Sequence, residues 1–322
     1  MKLGVFTLLF GAKPLEETLD YLVSLGVQTV EFGAGGYVAS AHFPVARLLE
    51  DGAALGRLKN AVQQRKLEVS ALSCHGNPLH PNPDIARAHH QDFVSACQLA
   101  ARLDAGVVNT LSGCPGSDPA ARFPNWITCP IPPEDFLRPL EWQWSERVIP
   151  YWKEAARIAA ASGVRVGIEM VPNNVVYNLE TLFQLRNATS ETIGANLDPS
   201  HLFWQGADIL TVIGRLGPAI HHFHAKDSGI NEEVVRANGI IDPKSLTDEP
   251  RRSWIFRTIG HGHDQLLWNR IVAHLRMAGY DGALSIEHED SLMSADEGLR
   301  KAIAFLQQAL IREKPGLAYW AQ

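Results

Sequence analysis

The chain has 322 residues, 46% of them hydrophobic and 20% charged, a balance that excludes a disordered chain and supplies ample material for a buried core. A formal net charge of -6 at pH 7, with no Lys/Arg cluster, argues against a nucleic-acid backbone as the main partner and fits an uncharged or weakly charged small molecule better. Four cysteines (Cys74, Cys97, Cys114, Cys129) show neither Cys-x-x-Cys spacing nor the density of a disulfide-stapled domain, and read as reduced thiols. No stretch approaches the roughly 18 apolar residues of a membrane span. The apolar opening, Met1 to Phe10, stops at Gly11 without a signal-cleavage pattern. The expectation is a cytoplasmic protein with a single domain over 1–322 and no membrane or nucleic-acid partner.

Strand-like and helix-like segments alternate from end to end, the pattern of a parallel sheet wrapped by helices. The first strand is expected over Leu3 to Leu9 and the first helix over Pro14 to Gly26, with Pro near its start and Gly at its end. A second strand, Val27 to Gly33, carries Glu31 near its end and runs into Ala34-Gly35-Gly36-Tyr37. Those glycines read as a tight turn, because neither a Gly-x-Gly-x-x-Gly nor a Walker pattern is present. A helix over 53–65 leads to the third strand, Glu68 to Ser73, and then to Cys74-His75-Gly76-Asn77-Pro78-Leu79-His80-Pro81. His75 and Asn77 are candidate substrate contacts there, the alternative being polar residues in an exposed loop. A helix over 85–103 and a fourth strand, Val107 to Leu111, follow.

From Ser112 to about Arg147 the alternation lapses. Prolines 115, 119, 124, 130, 132, 133 and 139 share this stretch with Trp126, Trp142 and Trp144. A loop that long in a compact domain predicts a lid or binding loop. Its indoles offer flat apolar surface suited to sugar faces, or simply pack the loop onto the fold. The pattern then resumes. A helix over Ile149 to Ala161 precedes a fifth strand, Val164 to Glu169, and a helix over Leu179 to Arg186 precedes a sixth, Ile193 to Asp198. Helix Ile209 to Leu216 stops at Gly217-Pro218 before the seventh strand, Ala219 to Asp227. A second excursion, Ser228 to Arg257, is followed by helix Gln265 to Met277 and the eighth strand, Gly282 to Glu287. Ser294-Ala295-Asp296-Glu297 reads as a capping box opening a last helix to about Leu310. Eight strands alternating with helices is the count of a (β/α)8 TIM barrel with long loops after strands 4 and 7. A doubly wound sheet is the competing topology, without its dinucleotide fingerprint.

In a parallel barrel all strand ends share one rim, where such enzymes place their sites. Glu169, Asp198, His224 and Glu287 all occupy strand ends. A single acid at such a position commonly caps a helix or meets a basic side chain. Four from successive strands, facing little compensating arginine, make a ligand set for one divalent cation. The oxygen-rich set without thiolate favours Mn²⁺, then Mg²⁺, and its one imidazole leaves Co²⁺ or Zn²⁺ open. Alternation along the seventh strand puts His222, His224 and Lys226 on one face, with His222 one pleat below the cation. Lys226 is expected to hold a substrate hydroxyl or offset developing charge, against the plainer reading of a salt bridge. His201 is a second base or a substrate contact. Arg257, His261 and His263 lie in a polar loop and are weaker candidates for substrate contact.

The runs Ile168-Glu169, Asn196-Leu197-Asp198-Pro199-Ser200-His201, His222-Phe223-His224-Ala225-Lys226-Asp227 and Ser285-Ile286-Glu287-His288-Glu289 resemble the strand-end motifs of the xylose isomerase-like TIM barrels. That group comprises sugar phosphate isomerases and epimerases. The resemblance spans essentially the whole chain and is far more specific for fold and cation site than for substrate. It implies that Glu169, Asp198, His224 and Glu287 bind one divalent cation, and that His201 and Lys226 face the substrate. The segment Trp254 to Asp264 and Glu287-His288-Glu289-Asp290 further resemble a subgroup handling oxidised (3-oxo) sugars. Some of its members are the larger subunit of C-glycoside-cleaving lyases.

The chemistry also follows from the residues. A cation chelated by neighbouring sugar oxygens acidifies the proton next to a carbonyl. Glu169 and Glu287, on different sides of the ring, would then address opposite faces, one removing the proton and the other returning it. The expected function is therefore a metal-dependent isomerase or epimerase of a ketose or 3-oxo sugar. The alternative is a lyase for 3-oxo-C-glycosides with a small partner subunit; a homo-oligomer is the other assembly considered. An apurinic-site nuclease would need more ligands and a less acidic chain. A sugar-binding protein without catalysis would not need all four ligands.

Overall fold

The computed structural model describes residues 1–129, 134–314, 316, 318 and 320. Pro130, Pro132 and Pro133 of the first excursion lie outside the described residues. Ten strands follow along the chain: β1 (Lys2–Phe6), β2 (Thr29–Gly33), β3 (Glu68–Ser73), β4 (Val107–Leu111), β5 (Arg165–Glu169), β6 (Ile193–Leu197), β7 (Ile220–Ala225), β8 (Asp227–Ile230), β9 (Trp254–Arg257) and β10 (Ala283–Ile286). Eight of them are parallel and close into a barrel, with β1 pairing to β10 (Lys2 opposite Ala283, Val5 opposite Ile286) to complete the ring. β8 and β9 form a separate antiparallel hairpin. Helices return the chain over the outside: Leu15–Ser24, Gly52–Gln64, Pro83–Leu103, Ile149–Ala161, Leu179–Ala188, Ile209–Leu216, Gln265–Met277 and Ala295–Ala309. This is the expected (β/α)8 barrel. No described helix is long and apolar enough to cross a membrane.

The helices begin where short polar side chains satisfy their free N–H groups. Asn82, Asn178, Asp208, Asp264 and Ser294 each accept a backbone N–H at a helix start, and Asn178 completes a reciprocal box with Thr181. Each such cap is worth about 1 kcal/mol. Their apolar faces pack on the outward side chains of the strands. Val5, Val30, Phe32, Val108, Val166, Ile168, Phe223 and Leu284 are all fully buried, together with Trp152 and Trp268 from the helices. Burying side chains of this size contributes roughly 1.5–3 kcal/mol each.

The inward faces are of another kind. Barrel interiors are ordinarily filled by branched apolar residues. Here the lumen holds Glu31, Ser73, Asn109, Asn196, His222 and Ser285, all buried. Glycine makes room for them: a Cβ on Gly167 would lie 2.5 Å from Asn109 Oδ1, and one on Gly4 2.5 Å from Thr29 Oγ1. A polar lumen is stable when its groups bond one another: Ser73, Asn109 and Ser285 donate to Glu31 and Asn196 pairs with His222, while Asn109 Oδ1 and Thr29 Oγ1 have no partner among the described residues.

Three details differ from the sequence expectation. β1 ends at Phe6, and Thr7–Phe10 forms a single 3-10 turn at the rim. The first excursion is irregular only in its first part. From Glu134 it is helical, and a π turn over Gln143–Val148 runs directly into the helix Ile149–Ala161. That wider turn sits just ahead of Pro150, whose missing N–H and bulky ring disturb the preceding α-helical bonding. The second excursion is likewise built, from the β8–β9 hairpin and a helix over Glu232–Asn238.

Candidate active site

Glu169 is the last residue of β5, Asp198 and Glu287 each stand one residue beyond β6 and β10, and His224 is the penultimate residue of β7. The ligand atoms of these four residues all lie within 4.8 Å of one another. His224 Nδ1 is 3.2 Å from both Glu169 Oε2 and Glu287 Oε2. Asp198 Oδ1 accepts the Ser200 N–H at 2.8 Å, and its buried Oδ2 lies 3.4 Å from both Lys226 Nζ and His201 Nε2. Burial pushes the Asp198 carboxyl up, against the opposing pull of Lys226 and His201. Burial also opposes ionisation of Glu169, but the His75 and His224 imidazoles outweigh it and hold that carboxyl well below the usual range. Glu287 is held low against burial chiefly by Lys226. Two buried carboxylates, a partly buried third and one imidazole fit a divalent cation bound through mixed O and N donors.

The other ring nitrogen of His224 is also committed. Nε2 faces Glu31 Oε1 at 2.9 Å, across the barrel lumen. Glu31 is fully buried, and Ser73, Asn109 and Ser285 also donate to it. Glu31, His222 and His224 are close enough to form a second ligand group. Its acceptors are already filled, however, and it reads as the support that orients His224 rather than as a second cation site. His222 is held in the same layer by Asn196 Oδ1 at 3.0 Å.

A family model described as the xylose isomerase-like TIM barrel matches residues 19–309. The chain belongs to the xylose isomerase-like TIM barrel family. An uncharacterized protein of Bacillus subtilis (strain 168), YfiH, is 36% identical over 312 residues, spanning 96% of this chain and 99% of that one. Among solved structures, the fold is similar to a probable 3-DHS dehydratase of petrobactin synthesis from Bacillus anthracis, AsbF. The TM-score is 0.68 at 17% identity, over 95% of this chain and 99% of that one. It is also similar to the 3-keto-D-glucoside 4-epimerase YcjR of E. coli, with a TM-score of 0.66 at 13% identity over 96% and 99% of the two chains.

Beside the four clustered side chains, this xylose isomerase-like barrel opens into a cavity of about 630 Å³ that Glu169 and Glu287 line. Of the residues expected from sequence to meet substrate, His75, His201 and Lys226 line it. His75 Nε2 is 3.3 Å from Glu169 Oε2, and His201 Nε2 is 3.1 Å from Glu169 Oε1. Lys226 Nζ contacts Glu287 at 2.8 Å, Glu289 at 2.7 Å and Asp198 at 3.4 Å. Burial would neutralise this amine, but Glu287, Glu289 and Asp198 raise its pKa well above the ordinary lysine value, so it is a donor and not a base.

The remaining expected contacts lie elsewhere. Asn77 is consumed in clamping two loops, donating to Cys114 O at 2.9 Å and accepting from the backbone N–H of Cys114 and Leu79. Arg257 pairs with Asp290 at 3.2 Å, and His261 is exposed on the following loop; neither lines the cavity. His263 bonds Asp227 at 2.6 Å, where the N–H groups of residues 260, 262 and 263 also converge. That hub anchors the loop beside Lys226. Sequence reading overlooked the support from Glu31, the cavity acid Glu289 and the aromatic wall of Trp204, Trp254 and Phe256. The only sequence signal for Glu31 was its place near a strand end.

Proposed function

We propose that the protein moves a proton next to the carbonyl of a ketose or oxidised (3-oxo) sugar, giving isomerisation or epimerisation with a bound divalent cation. The observation that carries this reading is the convergence of Glu169, Asp198, His224 and Glu287 within 4.8 Å beside a 630 Å³ cavity. Glu169, Asp198, His224 and Glu287 would hold the cation, with Mn²⁺ foremost and Mg²⁺, Co²⁺ or Zn²⁺ as alternatives, which would supply Lewis acidity to the carbonyl. Glu169 and Glu287 are both held as carboxylates, the form a base needs. They come from strands separated in the ring by β6 and β7, and so approach a bound sugar from two sides. One removes the proton and the other returns it for epimerisation; a single base carrying it between adjacent carbons gives isomerisation. His201 steadies Glu169 and faces the cavity. Lys226 donates to a substrate oxygen and offsets negative charge.

The fold is shared with a 3-keto-glucoside epimerase and a dehydratase, which supports this class of chemistry without selecting within it. Expulsion of a substituent from the same enediolate would make the protein a lyase, assisted by a small partner subunit. Proton NMR in D₂O tests the reading directly, using ketohexoses, 3-oxo-glucose and a 3-oxo-C-glycoside with Mn²⁺ and chelator controls. Metal-dependent deuterium uptake at one carbon is expected, falling about 100-fold or more in Glu169→Gln and Glu287→Gln variants. Exchange that ignores both substitutions would sink the two-glutamate mechanism, and aglycone release would select the lyase.

A further inference from the structure

We infer that Glu289 is a positioning residue: it draws the Lys226 ammonium off the oxygens that hold the cation and keeps it at the cavity wall, within reach of a sugar oxygen. This rests on reading Glu169, Asp198, His224 and Glu287 as one cation site. The ammonium and the cation want the same atoms. Lys226 Nζ lies 2.8 Å from Glu287 Oε2 and 3.4 Å from Asp198 Oδ2. Glu287 Oε2 is also the oxygen that meets His224 Nδ1 at 3.2 Å, so it faces into the four-residue cluster. A lysine placed there is a rival. Its charge repels a divalent ion, and each hydrogen bond it makes to these two acids occupies a lone pair that coordination needs.

Lys226 has a second seat. Glu289 Oε2 accepts from Nζ at 2.7 Å, and the ammonium stands 4.3 Å over the Phe256 ring, whose face attracts a cation. Of the carboxylates that contact Lys226 among the described residues, Glu289 alone is outside the cluster. The fold brings this seat together from three places: Lys226 joins β7 to β8, Phe256 belongs to β9, and Glu289 stands two residues beyond Glu287 after β10. The Lys226 side chain is buried, and a buried charge must keep a partner. With Asp198 and Glu287 given to a cation, Glu289 and the Phe256 face remain for it. Both line the cavity, so an ammonium held by them stays beside a bound sugar. The plainer alternative makes Glu289 a half-exposed wall acid that attracts the cation through space alone, independently of Lys226.

A double-mutant cycle separates the two roles, read by calorimetric titration of Mn²⁺ into the chelator-stripped full chain. Glu289→Gln is expected to weaken Mn²⁺ binding about tenfold, as the loss of an outer-shell partner does. Lys226→Met and Lys226→Gln are expected to bind Mn²⁺ at least as tightly as wild type, because the rival ammonium is gone. In both of these backgrounds Glu289→Gln should change the affinity by less than about twofold, the mark of an effect that runs through Lys226. Cooperative melts of all variants establish that the fold is kept. Unchanged affinity in Glu289→Gln, a penalty that persists in either Lys226 background, or loss of Mn²⁺ binding in both Lys226 variants overturns the proposal. Each of those outcomes leaves the wild-type cation site standing, whereas a wild type that binds no Mn²⁺ overturns the site and the proposal together.

Discussion

At Glu31 a fully buried carboxylate spends its two oxygens on four donors, one of them a nitrogen of His224. That bond turns the opposite nitrogen, Nδ1, toward Glu169 and Glu287. A carboxylate behind a ligating imidazole fixes its orientation and raises its basicity, and losing such a partner typically costs about 10–100-fold in cation affinity. Glu31→Gln is therefore expected to weaken Mn²⁺ binding by about that factor in isothermal titration, with the cooperative melt retained. Unchanged affinity would reduce Glu31 to a packing residue. The four candidate ligands were legible in the sequence as strand-end residues, because each ends an apolar run and alternation along β7 separates His224 from Phe223. Glu31 was not. It reaches His224 across the lumen from a position 193 residues away, and strand periodicity gives the face of a side chain but not its partner on the far side of a closed barrel. Asn77 and Arg257 misled for the opposite reason. Their residue types suit substrate contact, yet tertiary neighbours claim them first.

The strands themselves carry a second titratable layer, on the outward face. His221 of β7 is buried with Nδ1 3.0 Å from Val166 O, its ring filling the space where a Cβ on Gly194 would sit. Burial pulls its pKa down from 6.5 to about 4, against the opposing hydrogen bond to Val166. The unfolded chain thus takes up this proton near pH 6.5 and the folded chain only near 4. The stabilisation is complete above 6.5 and is lost as pH falls across that interval. The stability difference between wild type and His221→Gln, from urea titrations, is expected to shift by up to about 1.4 kcal/mol per pH unit there. A difference that stays constant from pH 7 to 4 would contradict the buried neutral imidazole. At this scale the eight strands and eight major helices follow from alternation and capping residues. The excursions do not, because proline-rich and polar runs hide the hairpin of β8 with β9 and the π turn before Pro150. Their order comes from contacts such as Asp227 with the 260–263 backbone and Gln143 with three carbonyls of the first excursion.

For the molecule as a whole, the barrel puts four chemically matched side chains on one rim and reserves its lumen for the groups that hold them. Three acids at that rim, two of them buried, are an electrostatic cost that Lys226 offsets in part and that a bound divalent cation would offset further. The cation should then act as a folding ligand, adding about 2.7 kcal/mol when present at a hundred times its Kd. The most direct measurement is equilibrium dialysis of the chelator-stripped full chain against Mn²⁺, with the metal content of wild type and Asp198→Asn determined side by side. The account predicts one Mn²⁺ per wild-type chain, with strongly reduced retention in Asp198→Asn. A wild type that retains no cation, or an Asp198→Asn variant that retains as much, would contradict the four-residue site on which the proposed chemistry depends.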